Sequence, residues 1–339
     1  MNSKFLKPFL QYTLSLAIAV GVLWFVLKDV AIEEMLGKVS ELNYFWIGVS
    51  LFCALLGYGF RVYRWNLLLA PLGYRPGFLH TFLATMIGYL ANLVLPRFGE
   101  VVRCGVLKRS DNVPVSTSLG TVVAERVFDL FFLVLIVVAT LFLEFDKLSA
   151  FLGEVFSGGS RMPAVSAFIY IGAGLLIAVF LGVWYYQRNK AFIREHAFYK
   201  KLSSFLKELL SGVLSVRELE SRRGFWLSSS LIWVMYYLMS YVIVFSLPQT
   251  SGIDVLAGLA ILAMGGIGMA APVQGGLGTY HLLVSGVLMV YGASKNDAVL
   301  LAFVLHTSQT IFVIVTGVIS LLVSFIINRK KPVAATENA

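Results

Sequence analysis

"FLATMIGYLANLVLPRFGEVVRC", Phe82 to Cys104, starts as an apolar helix, is interrupted by Pro96, and continues with Arg97, Glu100 and Arg103. A proline within a helix removes one backbone hydrogen bond and clashes with the turn before it. Lipid cannot replace the lost bond. Broken backbone at membrane depth therefore persists only where protein buries it or water reaches it.

Composition places the stretch at that depth. Of 339 residues, 58% are hydrophobic and 13% charged, whereas a soluble domain carries about 25% charged residues. Apolar runs suited to crossing about 30 Å of hydrocarbon as helix occupy 9–27, 45–60, 127–143, 165–186, 225–247 and 298–327, which gives six crossings. The first run follows Lys4 and Lys7 but is long for a secretory signal. It also has no small-x-small cleavage site before Lys28, so it reads as a retained helix. Cys53 and Cys104 show no paired spacing, which supports neither a disulfide framework nor a thiolate metal site.

Lysine and arginine in short loops mark the cytoplasmic side. Residues 187–224 carry nine of them, among them Arg188, Lys200, Lys207 and Arg223, against four acids. That side should also hold Lys4, Lys7, the Arg61, Arg64 and Arg75 group, and the tail from Arg329, so both termini are expected in the cytoplasm. Segments 28–44, with four acids against two lysines, and 144–163 are expected outside. The net charge of +9 follows from this asymmetry, and no nucleic-acid partner is expected.

Counting crossings then imposes a constraint. Segment 78–112 must begin and end inside, and 253–297 must begin and end outside. The second segment contains "AGLAILAMGGIGMAAPVQGGLGTYHLLVSGVLMVYG", Ala257 to Gly292. Like the first, it is a helix, a Pro/Gly break and another helix. Both read as re-entrant hairpins, about 78–112 and 253–293, inserted from opposite faces. Matched broken segments in two halves of a chain point to a midplane site with inverted-repeat symmetry. The fold class is therefore all-α: a polytopic membrane protein of about six transmembrane helices plus two hairpins, forming one domain over 1–330 with a tail at 331–339.

Each break has local chemistry. Pro96 suits the first turn of a new helix, where its missing N–H costs nothing. Pro272 with Gly275, Gly276 and Gly278 offers a similar restart. A helix start exposes free N–H groups and positive dipole, which attract an anion. Arg97 and Arg103 add fixed charge suited to phosphate or carboxylate oxygens. Glu100 lies three residues before Arg103, so an internal ion pair between them is an equal alternative. In "VVAERVFDLFF", Glu125 and Asp129 share a helix face and Arg126 sits about 100° round. Charges inside the membrane must be paired or hydrated, and Arg97 and Arg103 are the expected partners. The cluster either locks the hairpin to the helix or serves substrate binding and proton coupling.

In order, "NLVLPRFGEVVR" (92–103), "STSLGTVVAERVFD" (116–129) and "PVQGGLG" (272–278) resemble the lysylphosphatidylglycerol synthase transmembrane region, also called the flippase-like or UPF0104 family. The likeness extends over roughly 10–325. It implies a multi-pass plasma-membrane protein, bacterial or archaeal, whose best-understood relatives move an aminoacylated anionic phospholipid between leaflets. By that match Asn92, Pro96, Gly99, Glu100, Arg103, Glu125, Arg126 and Asp129 occupy the family's polar positions, and Pro272, Gly276 and Gly278 its second break. Relatives often follow the glycine run with a glutamate. Here His281 stands there, preceded by Tyr280, so imidazole replaces a carboxylate contact.

Lysyl-transferring relatives carry a soluble transferase domain after the membrane region, and 339 residues leave no room for one. With no nucleotide loop, metal-spaced set or nucleophile motif, no catalytic residue, metal or cofactor is expected. The expected function is translocation of a polar or anionic lipid head group, held by the two restarts with Arg97 and Arg103, while Glu100, Glu125 and Asp129 balance charge or couple protons. The alternatives are glycosyl transfer from a lipid carrier and a scaffold that recruits a lipid-modifying enzyme.

Other features have plainer readings. Arg61 and Arg64 with Trp65 look like interfacial anchors. His306, Gln309 and Thr310 suit helix-to-helix hydrogen bonding. Phe198, Leu202, Phe205, Leu206, Leu209, Val213 and Val216 recur at helical spacing within 187–224, as in an amphipathic helix lying on lipid.

Overall fold

The computed structural model describes residues 17, 19–95, 97–145, 147, 219–271 and 273–329. The expected crossing at 165–186, the amphipathic residues 198–216, the tail after 329, Pro96 and Pro272 lie outside them, as do residues 9–16 and 18 of the run at 9–27. The described residues are all-helical. After a helical segment at 19–27 come α1 (Ile32–Gly37), α2 (Tyr44–Leu69), α3 (Phe78–Val94), α4 (Gly99–Asp111) and α5 (Val115–Leu143). The chain continues with α6 (Arg222–Tyr241), α7 (Val255–Ala270), α8 (Thr279–Val290) and α9 (Lys295–Arg329).

Length sorts these helices into two kinds. Tyr44–Leu72, Val115–Leu143, Arg222–Ser246 and Lys295–Ile327 are long and apolar enough to cross a membrane. By contrast, α3 with 17 residues and α7 with 16 reach only about 24–26 Å at 1.5 Å per residue, short of a full crossing. Each short helix turns back and packs on its successor, giving hairpins α3–α4 and α7–α8.

The hairpins open toward opposite ends of the bundle. His80 near the start of α3 meets Asp111 at the end of α4, with Nδ1 2.9 Å from Oδ1. The same end holds the close of α2, where the Thr81 hydroxyl donates to Asn66 at 2.8 Å, and the approach to α6, where Arg75 pairs with Glu220 at 2.6 Å. At the other end the Asn43 amide donates to Ser246 at 2.8 Å, and the Tyr241 hydroxyl donates to the Ile253 carbonyl at 3.1 Å just before α7. There Lys38 also pairs with Asp297 at 2.9 Å, at the start of α9. The first hairpin therefore starts and finishes where α2 ends and α5 begins, and the second where α6 ends and α9 begins.

Each hairpin has its own apolar core. Ile261, Val284, Leu288 and Leu301 gather around the second, and Trp65, Ala84, Leu107 and Val122 around the first. A groove of about 630 Å³ runs along the opposite face of α2, lined by Leu55, Phe60, Tyr63, Phe82, Leu227 and Leu231.

The first hairpin closes at a glycine pair. A Cβ on Gly99 would run into the Gly88 carbonyl oxygen, and one on Gly88 would lie 3.0 Å from Arg103 Cβ. Helix backbones approach this closely only where no side chain intervenes. Gly99→Ala is expected to destabilise the protein by about 1–3 kcal/mol through overpacking. Gly105→Ala, on the same helix with nothing within 4 Å of its built Cβ, should be neutral or slightly stabilising. Thermal melts of both variants in detergent check the difference.

Candidate functional site

Three helices bring charge into the interior. Position sets the depth: Glu125 and Asp129 lie 10 and 14 residues after Val115, roughly 15 and 21 Å along α5. Arg61 and Arg64 face them from α2, and Arg103 from α4. Arg61 Nη1 donates to Asp129 Oδ2 at 2.8 Å, Arg64 Nη2 to Asp129 Oδ1 at 2.6 Å, and Arg103 Nη2 to Glu125 Oε2 at 2.6 Å. Arg64 Nη2 also stands 3.6 Å from Glu125 Oε1. Arg64 and Glu125 are fully buried, and Arg103 nearly so. At the margin, half-exposed Arg126 donates to Glu100 at 2.9 Å and reaches Asp129 at 3.5 Å.

Aromatic groups frame these charges. The Arg103 guanidinium lies over the Trp65 ring, 4.3 Å from its centroid, and the indole N–H donates to Thr121 at 2.8 Å. Arg61 Nε donates to the Tyr236 hydroxyl at 3.3 Å. Tyr58 and Tyr89 meet at a tilt of 57°, with centroids 5.3 Å apart.

The two breaks meet. Gln274, in the turn between α7 and α8, donates its side-chain amide to the Leu93 carbonyl at 2.9 Å and lies 3.4 Å from that of Val94. Those carbonyls belong to the last turn of α3, where a helix has no partners of its own for them. One hairpin tip thus caps the other. Behind the second tip, the Gly275 carbonyl accepts from His306 Nε2 at 2.8 Å. Gly275, Gly276 and Gly278 all have left-handed backbone, with φ of 59°, 69° and 85°. Glycine adopts this conformation without the steric penalty of a side chain.

Several expectations are corrected. The helices restart at Gly99 and Thr279, later than Pro96 and Pro272. Arg97 does not join Arg103: it takes a left-handed turn with φ 65° and is exposed, outside the charged cluster. Glu100 pairs with Arg126 and not with Arg103, because Glu125 on α5 takes Arg103. The restarts do not offer a full set of free donors. Gly99 N–H is held by Asn92 Oδ1 at 2.7 Å, and Gly278 N–H by His281 Nδ1 at 3.3 Å. Tyr280 and His281 lie buried beside His306, with ring centroids 5.2 and 4.7 Å from it, away from the arginine cluster.

Arg61 and Arg64 are the largest revision, being centres of the cluster and not interfacial anchors. Depth was the available signal. Arg61 sits eight residues before Leu69, about 12 Å from the helix end, too far for a side chain to reach the interface while its helix face is buried.

Residues 12–317 match the model of the lysylphosphatidylglycerol synthase TM region family. The chain belongs to that family. Among curated relatives it is similar to glycosyltransferase AglD of Haloferax volcanii, 29% identical over 289 residues, covering 77% of this chain and 46% of the relative. It is also similar to a UPF0104 membrane protein of Methanocaldococcus jannaschii, 25% identical over 231 residues, covering 62% of this chain and 67% of that one. The chain therefore spans about half the length of AglD. No solved structure matches it.

Within this family member the cluster carries structural load whatever else it does. Removing one partner of a buried ion pair typically costs about 3–5 kcal/mol, because the other charge is stranded. Asp129→Asn strands Arg61 and leaves Arg64 only its 3.6 Å approach to Glu125, and should lower the melting temperature sharply or prevent folded expression. Glu100→Gln opposes only half-exposed Arg126 and should cost under about 1 kcal/mol. Size-exclusion profiles and melts of the two variants, side by side, test this ranking.

Proposed function

We propose that this family member translocates polar lipid head groups between membrane leaflets along the interior where its two hairpins meet. The observation that carries the reading is the Gln274 contact with Leu93 and Val94: hairpins that open toward opposite ends meet at a side-chain amide. Such a contact, worth about 0.5–1.5 kcal/mol net, is a barrier that can open and close.

The two sides of that barrier differ. The first hairpin is tied to α5 by buried ions, Arg103 to Glu125. The second is held at its tip by neutral groups: Gln274, the Gly275 carbonyl and two histidines. The second tip is therefore the one that moves, and its left-handed glycines are hinge material. A line of polar groups leads from it toward the arginines. His306 and Gln309 lie one turn apart on α9; Gln309 donates to Ser50 at 3.3 Å, and Tyr58 with Tyr89 follows on the way to Arg61. Head groups would travel this line while their acyl chains stay in lipid.

Charge sets the orientation. Among the described residues, the end where the first hairpin opens carries Arg75, Lys108, Arg109, Arg222 and Arg223, and the other end carries Lys28, Lys38, Lys147 and Lys295 amid Asp29, Glu33, Glu34, Glu41 and Asp254, so the basic excess lies at the first end. By the positive-inside rule the first end faces the cytoplasm. Glycosyl transfer from a lipid carrier is the second reading, which the name of the Haloferax relative fits loosely; Glu125, fully buried and held by Arg103, is poorly placed to act as its base. Proteoliposomes with fluorescent phosphatidylglycerol test the function through dithionite access to the label. The protein should exchange the label faster than empty vesicles, and Gln274→Leu should change the rate roughly two- to tenfold. Exchange no faster than in empty vesicles overturns the function.

A further inference from the structure

The charge of the interior allows the cargo to be named by class. Arg61, Arg64, Arg103 and Arg126 face Glu100, Glu125 and Asp129. Four guanidinium groups, that of Arg126 half-exposed at the margin, against three carboxylates leave one positive charge in excess among the described residues. Every carboxylate is already engaged by arginine. Hydrogen-bonding capacity is unbalanced in the same direction. Arg64 Nε, Arg103 Nε and Arg103 Nη1 are buried donors without an acceptor, while Glu100 Oε2 and Glu125 Oε1 are the cluster's buried acceptors without a donor. Unpartnered buried donors on cations cost several kcal/mol unless a ligand meets them.

We infer that the site selects a lipid whose head group is a phosphodiester bearing an uncharged, hydroxylated remainder, and rejects the aminoacylated form of the same lipid. Phosphate oxygens meet the surplus guanidinium donors, and hydroxyls meet Glu100 Oε2. A lysyl ester adds two ammonium groups and turns a head group of charge −1 into one of +1. Those ammoniums find no unneutralised carboxylate. Two of the aromatic faces that attract cations are also taken, Trp65 by Arg103 and Tyr236 by Arg61. His281, at the place where the resemblance puts a glutamate, adds no negative charge. The selectivity thus runs opposite to the lysylated lipid in the family's name.

This inference rests on the proposed translocation, and the experiment separates the two. Proteoliposomes carry labelled phosphatidylglycerol or labelled lysylphosphatidylglycerol, and native mass spectrometry of the purified protein compares retention of the same two lipids. Phosphatidylglycerol should exceed its lysyl form on the order of tenfold or more in both assays, given two units of charge at close range in a poorly screened interior. Equal or faster movement of the lysyl form overturns the inference and leaves translocation standing. If neither lipid moves, translocation fails, and the retention ratio alone decides the inference.

Arg126→Gln removes the excess charge at a half-exposed position and should shrink the ratio severalfold, while Glu100→Gln should enlarge it. An unchanged ratio in both sinks the charge argument. A melting-temperature rise with free sn-glycerol 3-phosphate as large as that with phosphatidylglycerol would make the ligand a free anion and overturn the lipid assignment.

Discussion

A charge inside a membrane protein must be answered by another charge, and α2, α4 and α5 are arranged around that requirement. Asp129 accepts from both Arg61 and Arg64, and Glu125 accepts from Arg103. The three helices can meet at these points only in one register, since a displacement of one turn would carry a guanidinium about 5 Å from its carboxylate. The first hairpin is therefore part of a fixed frame. The glycine contact at Gly88 and Gly99 follows from the same constraint, because Arg103 reaches α5 only if α4 lies close along α3.

The second hairpin is built by a different rule. Its helices pack through apolar and small residues, with Gly265 and Gly268 against Tyr280. Its tip offers hydrogen bonds without ions. Two hairpins of similar length that open in opposite directions thus differ in how firmly they are held. Inverted architecture supplies the shape, and the unequal distribution of charge holds one half by buried ion pairs and the other by apolar packing and hydrogen bonds.

The segments were legible because their signals are local. Apolar length marks the four described crossings, and the Pro/Gly interruptions at 96 and 272–278 mark both turns. Counting which side each segment returns to was enough to make the hairpins enter from opposite ends. Pairing was less legible, since it depends on distance across the bundle. Glu100 and Arg103 have good helical spacing, yet the partner of Arg103 comes from α5. Arg97 looked suited to anion binding by its neighbours in sequence, but the reversal of the chain leaves it exposed. Arg61 and Arg64 resembled anchors because "RVYRW" lies near a helix end, and only their distance from Leu69 argued otherwise. Gln274 had no signal at all, because an amide in a glycine-rich turn acquires a role only when another hairpin's carbonyls arrive beside it.

Stability alone does not account for the cluster. Well-packed apolar side chains in place of a buried ion network are often as stable or more so. A purely structural lock between α4 and α5 would need one balanced pair, such as Arg103 with Glu125. This cluster instead adds a fourth guanidinium at its half-exposed margin, Arg126, to three carboxylates, and leaves buried donors and acceptors unmatched. Residues that only hold helices together have no reason to keep either the excess charge or the unmet hydrogen bonds. Under the proposed translocation, both features suit a site whose anion arrives, passes through and leaves.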